Sequence, residues 1–198
     1  MHTGFGAPLR HRDFRLLAGA YSVSAAGSWA YNVALAVYVY DQTHSAAWVG
    51  AVTLGRFLPS VLFGTYGGVL AERFERTRLM VTLDVTSTVL MGGLTVLAAF
   101  HGAVLAAIAI GAANGVITMA YQPAVAALTP ELVPEDELAA ANTLNNTVGN
   151  LAIVAGPAIS AALLAAGSPT FAFAANAVSF LCSAAVVAAY LLGARQST

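Results

Sequence analysis

Few side chains in this 198-residue chain can do chemistry, and their spacing excludes most kinds of it. The four histidines, His2, His11, His44 and His101, show no ligand spacing, so no metal site is expected. The single cysteine, Cys182, lies in an apolar run and reads as a small hydrophobe. Paired carboxylates, a nucleophile beside a base and a phosphate-binding loop are all lacking, so no catalytic residue and no cofactor is expected. What remains is binding chemistry set inside apolar stretches.

Arg56 is the one basic residue deep in such a stretch, roughly 12 Å from its nearer end at the helical rise. An arginine there faces water or the protein interior, as a substrate or gating contact, or else snorkels outward. Asp84, about 9 Å into the next stretch, is expected to act as charge partner to Arg73, Arg76 and Arg78. Asn142, Asn145, Asn146, Gly149, Asn150 and Gly156 recur at helical spacing and share one helix face. Uncompensated amides are costly in hydrocarbon, so that face meets another helix or a watery cavity. Asn32, Asn114, Tyr121 and Gln122 are further polar groups in apolar surroundings, open to the same two readings. The candidate cavity set is therefore Asn32, Arg56, Asn114, Tyr121, Gln122, Asn142, Asn146 and Asn150.

The elements that must position these residues follow from composition. Hydrophobic residues make up 59% of the chain, charged residues 9%, and mean hydropathy is +0.76. A soluble domain carries roughly 25% charged residues, so most of this surface must face lipid. Spanning helices of about 20 apolar residues are expected over 14–40, 47–71, 79–100, 103–128, 138–165 and 171–192. Residues 1–13 and 193–198 flank them. The apolar run that begins near Phe14 continues to Tyr40, too long for a cleaved signal peptide. With a net charge of −1, nothing calls for nucleic acid as a partner. The bilayer is the expected one.

Orientation follows from the arginines, since the chain has no lysine. Arg10, Arg12 and Arg15 precede the first span, Arg73, Arg76 and Arg78 separate the second from the third, and Arg195 follows the sixth. The loops of the other side carry no basic residue, which predicts that both termini are cytoplasmic. Glu131, Glu135, Asp136 and Glu137 fall on the same side, and acids weigh little in the rule.

The turn between the second and third spans reads Gly67-Gly68-Val69-Leu70-Ala71-Glu72-Arg73-Phe74-Glu75-Arg76-Thr77-Arg78. Glu72 and Arg76 stand at i,i+4 and can pair across one helical turn. Gly64, Gly67 and Gly68 allow close helix approach. This stretch resembles the loop between helices 2 and 3 of the major facilitator superfamily, usually Gly-x-Leu-Ala-Asp-Arg-x-Gly-Arg-Lys/Arg. Gly68, Leu70, Ala71, Arg73 and Arg76 match, and Glu72 replaces the aspartate. Glu75 stands where the second glycine is usual. Arg73-Phe74-Glu75-Arg76 resembles the variant of the bacterial branch of siderophore and drug exporters. So do Arg12-Asp13-Phe14-Arg15, Thr43-His44-Ser45, Arg56-Phe57-Leu58-Pro59 and Pro130-Glu131-Leu132-Val133-Pro134. Gly156-Pro157 matches the core of an exporter-associated helix-5 motif, with Ser160 and Ala161 where two glycines are usual.

The resemblance implies an all-α membrane protein whose six transmembrane helices form the amino-terminal bundle of a two-half transporter. It implies a gating role for Gly68, Glu72, Arg73 and Arg76, which in the family help lock the cytoplasmic side of the outward-open state. It also implies efflux of a small organic molecule across the bacterial cytoplasmic (inner) membrane by alternating access. A second six-helix half or a homodimer partner would complete the substrate path. The alternative is a six-helix membrane subunit without transport, or an incomplete transporter remnant that needs a partner half.

Overall fold

Among the described residues seven helices follow one another with short connections: α1 (Arg12–Thr43), α2 (Ala46–Arg73), α3 (Arg76–Ala99), α4 (Val104–Thr118), α5 (Tyr121–Leu132), α6 (Leu138–Ala166) and α7 (Pro169–Gln196). The structure, a computed structural model, describes residues 4–196, and the side chains at 63, 65 and 191–196 fall outside the described set. Residues 197–198 of the expected tail and the Arg195 side chain therefore lie outside the described residues. Two 3-10 turns, Ala7–Arg10 and Glu135–Glu137, lead into α1 and α6. Among the described residues there is no strand.

Local chemistry explains where the helices stop. His44 and His101 take left-handed backbone angles, φ 49° and 51°, which reverse the chain after α1 and α3. The stretch expected as one helix over 103–128 is broken at Met119–Ala120 into α4 and α5. Pro123 accounts for the break: it has no N–H to give the Met119 carbonyl, and its ring crowds that carbonyl. Only Phe74 and Glu75 separate α2 from α3. Glu72 and Arg76 thus sit on different helices, and the expected i,i+4 pairing does not form among the described residues. Arg78 pairs instead with Glu75, and Arg76 with Glu131.

Among the described residues four helical stretches are long and apolar enough to cross a membrane: Arg76–Ala99, Val104–Leu132, Glu135–Ala166 and Pro169–Tyr190. The pair Ala46–Leu62 and Tyr66–Arg73, bent by 60°, makes a fifth if taken as one span. Pro59 precedes that bend and Gly64 lies within it. α1 is not among them, although its 32 residues reach about 48 Å. Ser22, Ser24, Ser28, Asn32 and four tyrosines lower its hydropathy. The reason is positional: α1 packs against α6, α7 and α2, and many of its side chains are buried.

α7 packs along α3 and α1, and α2 lies mainly on α4. Lipid offers no hydrophobic drive for such pairing, so it rests on close van der Waals fit and small residues. A Cβ at Gly67 would stand 2.9 Å from the Met119 carbonyl oxygen, a Cβ at Gly115 would strike the Arg56 carbonyl, and one at Gly156 would strike Trp29. Two apolar clusters result. One joins Phe14, Leu17, Met80, Leu83, Tyr121 and Leu128, and the other Tyr31, Leu35, Met91, Leu94, Phe173 and Phe180. Along α3 and α7 the residues between them are polar and buried: Asp84, Ser87 and Ser183.

Contacts across the ends define two sides of the bundle. His11 Nε2 lies 3.1 Å from Glu137 Oε2, and Arg76 meets Glu131, so the start of α1, the α2–α3 turn and the α5–α6 connection share one end. At the other end the Tyr38 hydroxyl donates to the Gly102 carbonyl at 2.9 Å, and Gln42 reaches His101 at 3.4 Å.

Candidate functional site

Pro157 in α6 and the Arg56-Phe57 pair in α2 face α1 across a cleft of about 390 Å³. Trp29 and Asn32, three residues apart on α1, present one face to it. The Arg56 guanidinium donates to the Tyr31 hydroxyl. Its central carbon lies 4.5 Å from the Tyr31 ring centroid and 5.4 Å from that of Phe57. These aromatic faces and one hydroxyl hold a cation within the bundle. Arg56 Nε and both amide atoms of Asn32 are buried and find no hydrogen-bond partner among the described residues. Trp29 and Phe57 form the aromatic wall, with ring centroids 6.2 Å apart. The size is that of a small-molecule pocket, and the mix of apolar lining with a few polar groups is the usual one.

The cleft gathers only part of the predicted set. Asn32, Arg56 and Pro157 line it, and Gly156 lets α6 close on Trp29. Asn142, Asn146 and Asn150 form an exposed row at i, i+4 and i+8 on α6, outside this cleft, while Asn145 turns inward and donates to Thr129 at 3.1 Å. Gln122 donates to the Tyr21 hydroxyl. Asn114 is fully buried, with both amide atoms unpartnered among the described residues.

Tyr121 and Asp84 belong to a separate polar cluster. Asp84 is 0% exposed. Its Oδ2 accepts from Ser183 at 2.6 Å and from Tyr121 at 3.3 Å, and those two hydroxyls lie 3.0 Å apart. The expected partnership of Asp84 with the arginines is therefore absent among the described residues. α3 turns this side chain toward α7 and α5, whereas Arg76 and Arg78 sit at the helix start and pair with nearer acids.

At the charged end, Glu72 and Arg73 are exposed and form no ion pair among the described residues. A Cβ at Gly68 would meet nothing within 4 Å, so the close approach in this turn belongs to Gly67. Trp29, Tyr31 and Ser183 are not singled out in the sequence, while Phe57, His11 and Glu131 stand out there only through a motif, residue type or loop charge and not for these contacts. The i,i+3 spacing of Trp29 and Asn32 was the available signal for the first. Nothing local marks the partners of Ser183 and Glu131, which lie 99 and 55 residues away.

Residues 3–198 match the family model described as transmembrane secretion effector. Macrolide efflux protein A of Streptococcus pyogenes is 28% identical over 143 residues, which cover 72% of this chain and 35% of that protein. The staphyloferrin A transporter of Staphylococcus aureus is 25% identical over 156 residues, 78% of this chain and 39% of that protein. An uncharacterized MFS-type transporter of Bacillus subtilis is 25% identical over 173 residues, 86% of this chain and 40% of that protein. The chain thus matches between a third and two fifths of the length of these curated relatives. No solved structure matches it.

Proposed function

The chain belongs to the transmembrane secretion effector family of the major facilitator superfamily, and from that premise we propose that it forms the amino-terminal half of an exporter. In this reading it is a transporter rather than an enzyme, and it moves a small organic molecule outward by alternating access. α1 joins the five apolar spans to make six, its polar residues serving a central path rather than lipid. Both termini and the arginine-bearing turns lie on the cytoplasmic side of the bacterial inner membrane.

The observation that carries this reading is the cleft between α1, α2 and α6. It holds an intramembrane arginine and an asparagine whose polar atoms lack partners. Such groups are costly in hydrocarbon and mark ligand paths. Beside it, the row Asn142, Asn146 and Asn150 is exposed on α6. A second six-helix half, or a second copy of this chain, would cover that row and close the path.

Gating falls to the α2–α3 turn. Glu72 and Arg73 carry charge, are exposed and have no partner within the described bundle, so they are free to engage the other half. The test is efflux from cells that hold this chain with its complementary half. The double variant Glu72→Ala/Arg73→Ala is expected to insert normally and to lose transport. Undiminished efflux in that variant would remove the gating role. A chain that inserts and binds a partner protein along the α6 row, with no flux of any compound, would point to the subunit without transport.

A further inference from the structure

The cation in the cleft meets no carboxylate. Of the nine acids, Asp84 is occupied by Ser183 and Tyr121, and the other eight lie at or near the helix ends. No acidic residue lines the cleft. The Tyr31 hydroxyl and two aromatic faces spread the charge of Arg56 without neutralising it. A guanidinium offers five N–H donors in a planar fork, and here Nε is buried and unpartnered among the described residues. Asn32 lines the same cleft, and its amide atoms are likewise buried and unpartnered among the described residues. Thr53 also lines the cleft, its hydroxyl turned back to the Val49 carbonyl, and the remaining lining is apolar, Trp29, Phe57, Ile153 and Pro157 among it.

We propose that this cleft selects amphiphilic organic anions: Arg56 holds a carboxylate, Asn32 donates a further hydrogen bond to it, and Trp29 and Phe57 cover the apolar body. The planar fork suits a carboxylate in two-point contact, and the charge-assisted bonds gain strength where water is scarce. A cationic ligand would face Arg56 with nothing to compensate it. The neutral isostere of a bound anion would leave the guanidinium as unbalanced as before. This names the substrate class of the exporter proposed above and rests on that reading for the route across the membrane. Binding itself is measurable without transport.

The chain has two tryptophans, Trp29 and Trp48, and Trp48 lies outside the cleft. Trp48→Phe therefore leaves Trp29 as a fluorescent reporter in the cleft wall. In lipid nanodiscs the full chain is titrated with 4-bromobenzoate and with 4-bromobenzamide, whose bromine quenches indole emission on contact. Saturable quenching by the carboxylate is expected, with the amide weaker by about tenfold. Arg56→Gln should bring the carboxylate down to the level of the amide, while Arg56→Lys keeps most of the preference. Equal quenching by the two probes, or an Arg56→Gln variant that still prefers the carboxylate, overturns the proposal. If Arg56→Gln does not fold by circular dichroism, the carboxylate-to-amide ratio in the Trp48→Phe protein decides alone. Anion preference without flux would sink the exporter reading and leave the cleft's selectivity standing. Flux without anion preference would do the reverse.

Discussion

Asp84 shows how a single residue is held in an unfavourable place. A carboxylate inside the bundle must be met by donors or it raises the free energy of the folded state. Here two hydroxyls converge on Oδ2, from Ser183 and Tyr121, while Oδ1 has no partner among the described residues. The shorter bond, 2.6 Å, comes from Ser183. Ser183→Ala should therefore lower stability by about 1–3 kcal/mol, the range for a buried polar group that loses a partner. The measurement is the thermal midpoint of the purified chain in detergent. An unchanged midpoint would mean that Tyr121 alone suffices. Arg56 has the converse problem, a cation met only by neutral groups, and the inferred ligand is the anion that answers it.

At the scale of elements, the α2–α3 turn separates two jobs that adjacent glycines perform. Gly67 touches the backbone of the α4–α5 break, where a Cβ would stand 2.9 Å from a carbonyl oxygen that cannot easily move. Gly68 faces open space in this bundle. Gly67→Ala should thus destabilise the helix packing by about 1–3 kcal/mol, as overpacking does. Gly68→Ala should leave the thermal midpoint unchanged. If Gly68→Ala nevertheless slows efflux, the loss reports a contact with the complementary half rather than with this one. Equal destabilisation by both variants would argue against the packing described. The ion pairs nearby contribute less. Arg76 and Glu131 are 42% and 51% exposed, and exposed pairs are worth about 0–1 kcal/mol. Their value is geometric, since they tie α3 to α5 and fix which loops share an end.

At the scale of the whole molecule, the packing repeats itself. α1 lies against α6 and α7, α4 lies against α2 and α3, and α3 meets α7 between them. With α4 and α5 taken as one span, those pairings interchange when α1, α2 and α3 are exchanged with α4–α5, α6 and α7, the pattern of an inverted repeat. α2 exposes Leu54 at 65% and Val61 at 79%, and α6 exposes Val154 at 75% together with the asparagine row. The expected outcome of native mass spectrometry in nanodiscs is a monomer for this chain alone and a one-to-one complex when the complementary half is co-expressed. A stable dimer of this chain would show instead that two copies enclose the path.

Hydropathy and charge are properties of a segment by itself, which is why the sequence alone determined the membrane class, the helical fold and the family. The loop motif Gly68 to Arg76 survives as a string of letters, whatever its neighbours do. Partnership is different, because it depends on how each helix is rotated and where its axis bends. Asp84 stands less than two helical turns past Arg78 in the sequence, yet the rotation of α3 points it at α7. Tyr121 and Gln122 stand side by side at the start of α5, and the rotation of about 100° between successive helix residues sends one to Asp84 and the other to Tyr21. Asn142, Asn146 and Asn150 shared a face with Asn145, and a shift of one residue leaves three outside and one bonded within. Even the cleft depends on Gly115 and Gly156, small enough for α4 to approach α2 and α6 to approach α1. Those contacts join residues 59 and 127 positions apart (Arg56 with Gly115, Trp29 with Gly156), and only the packed bundle could decide them.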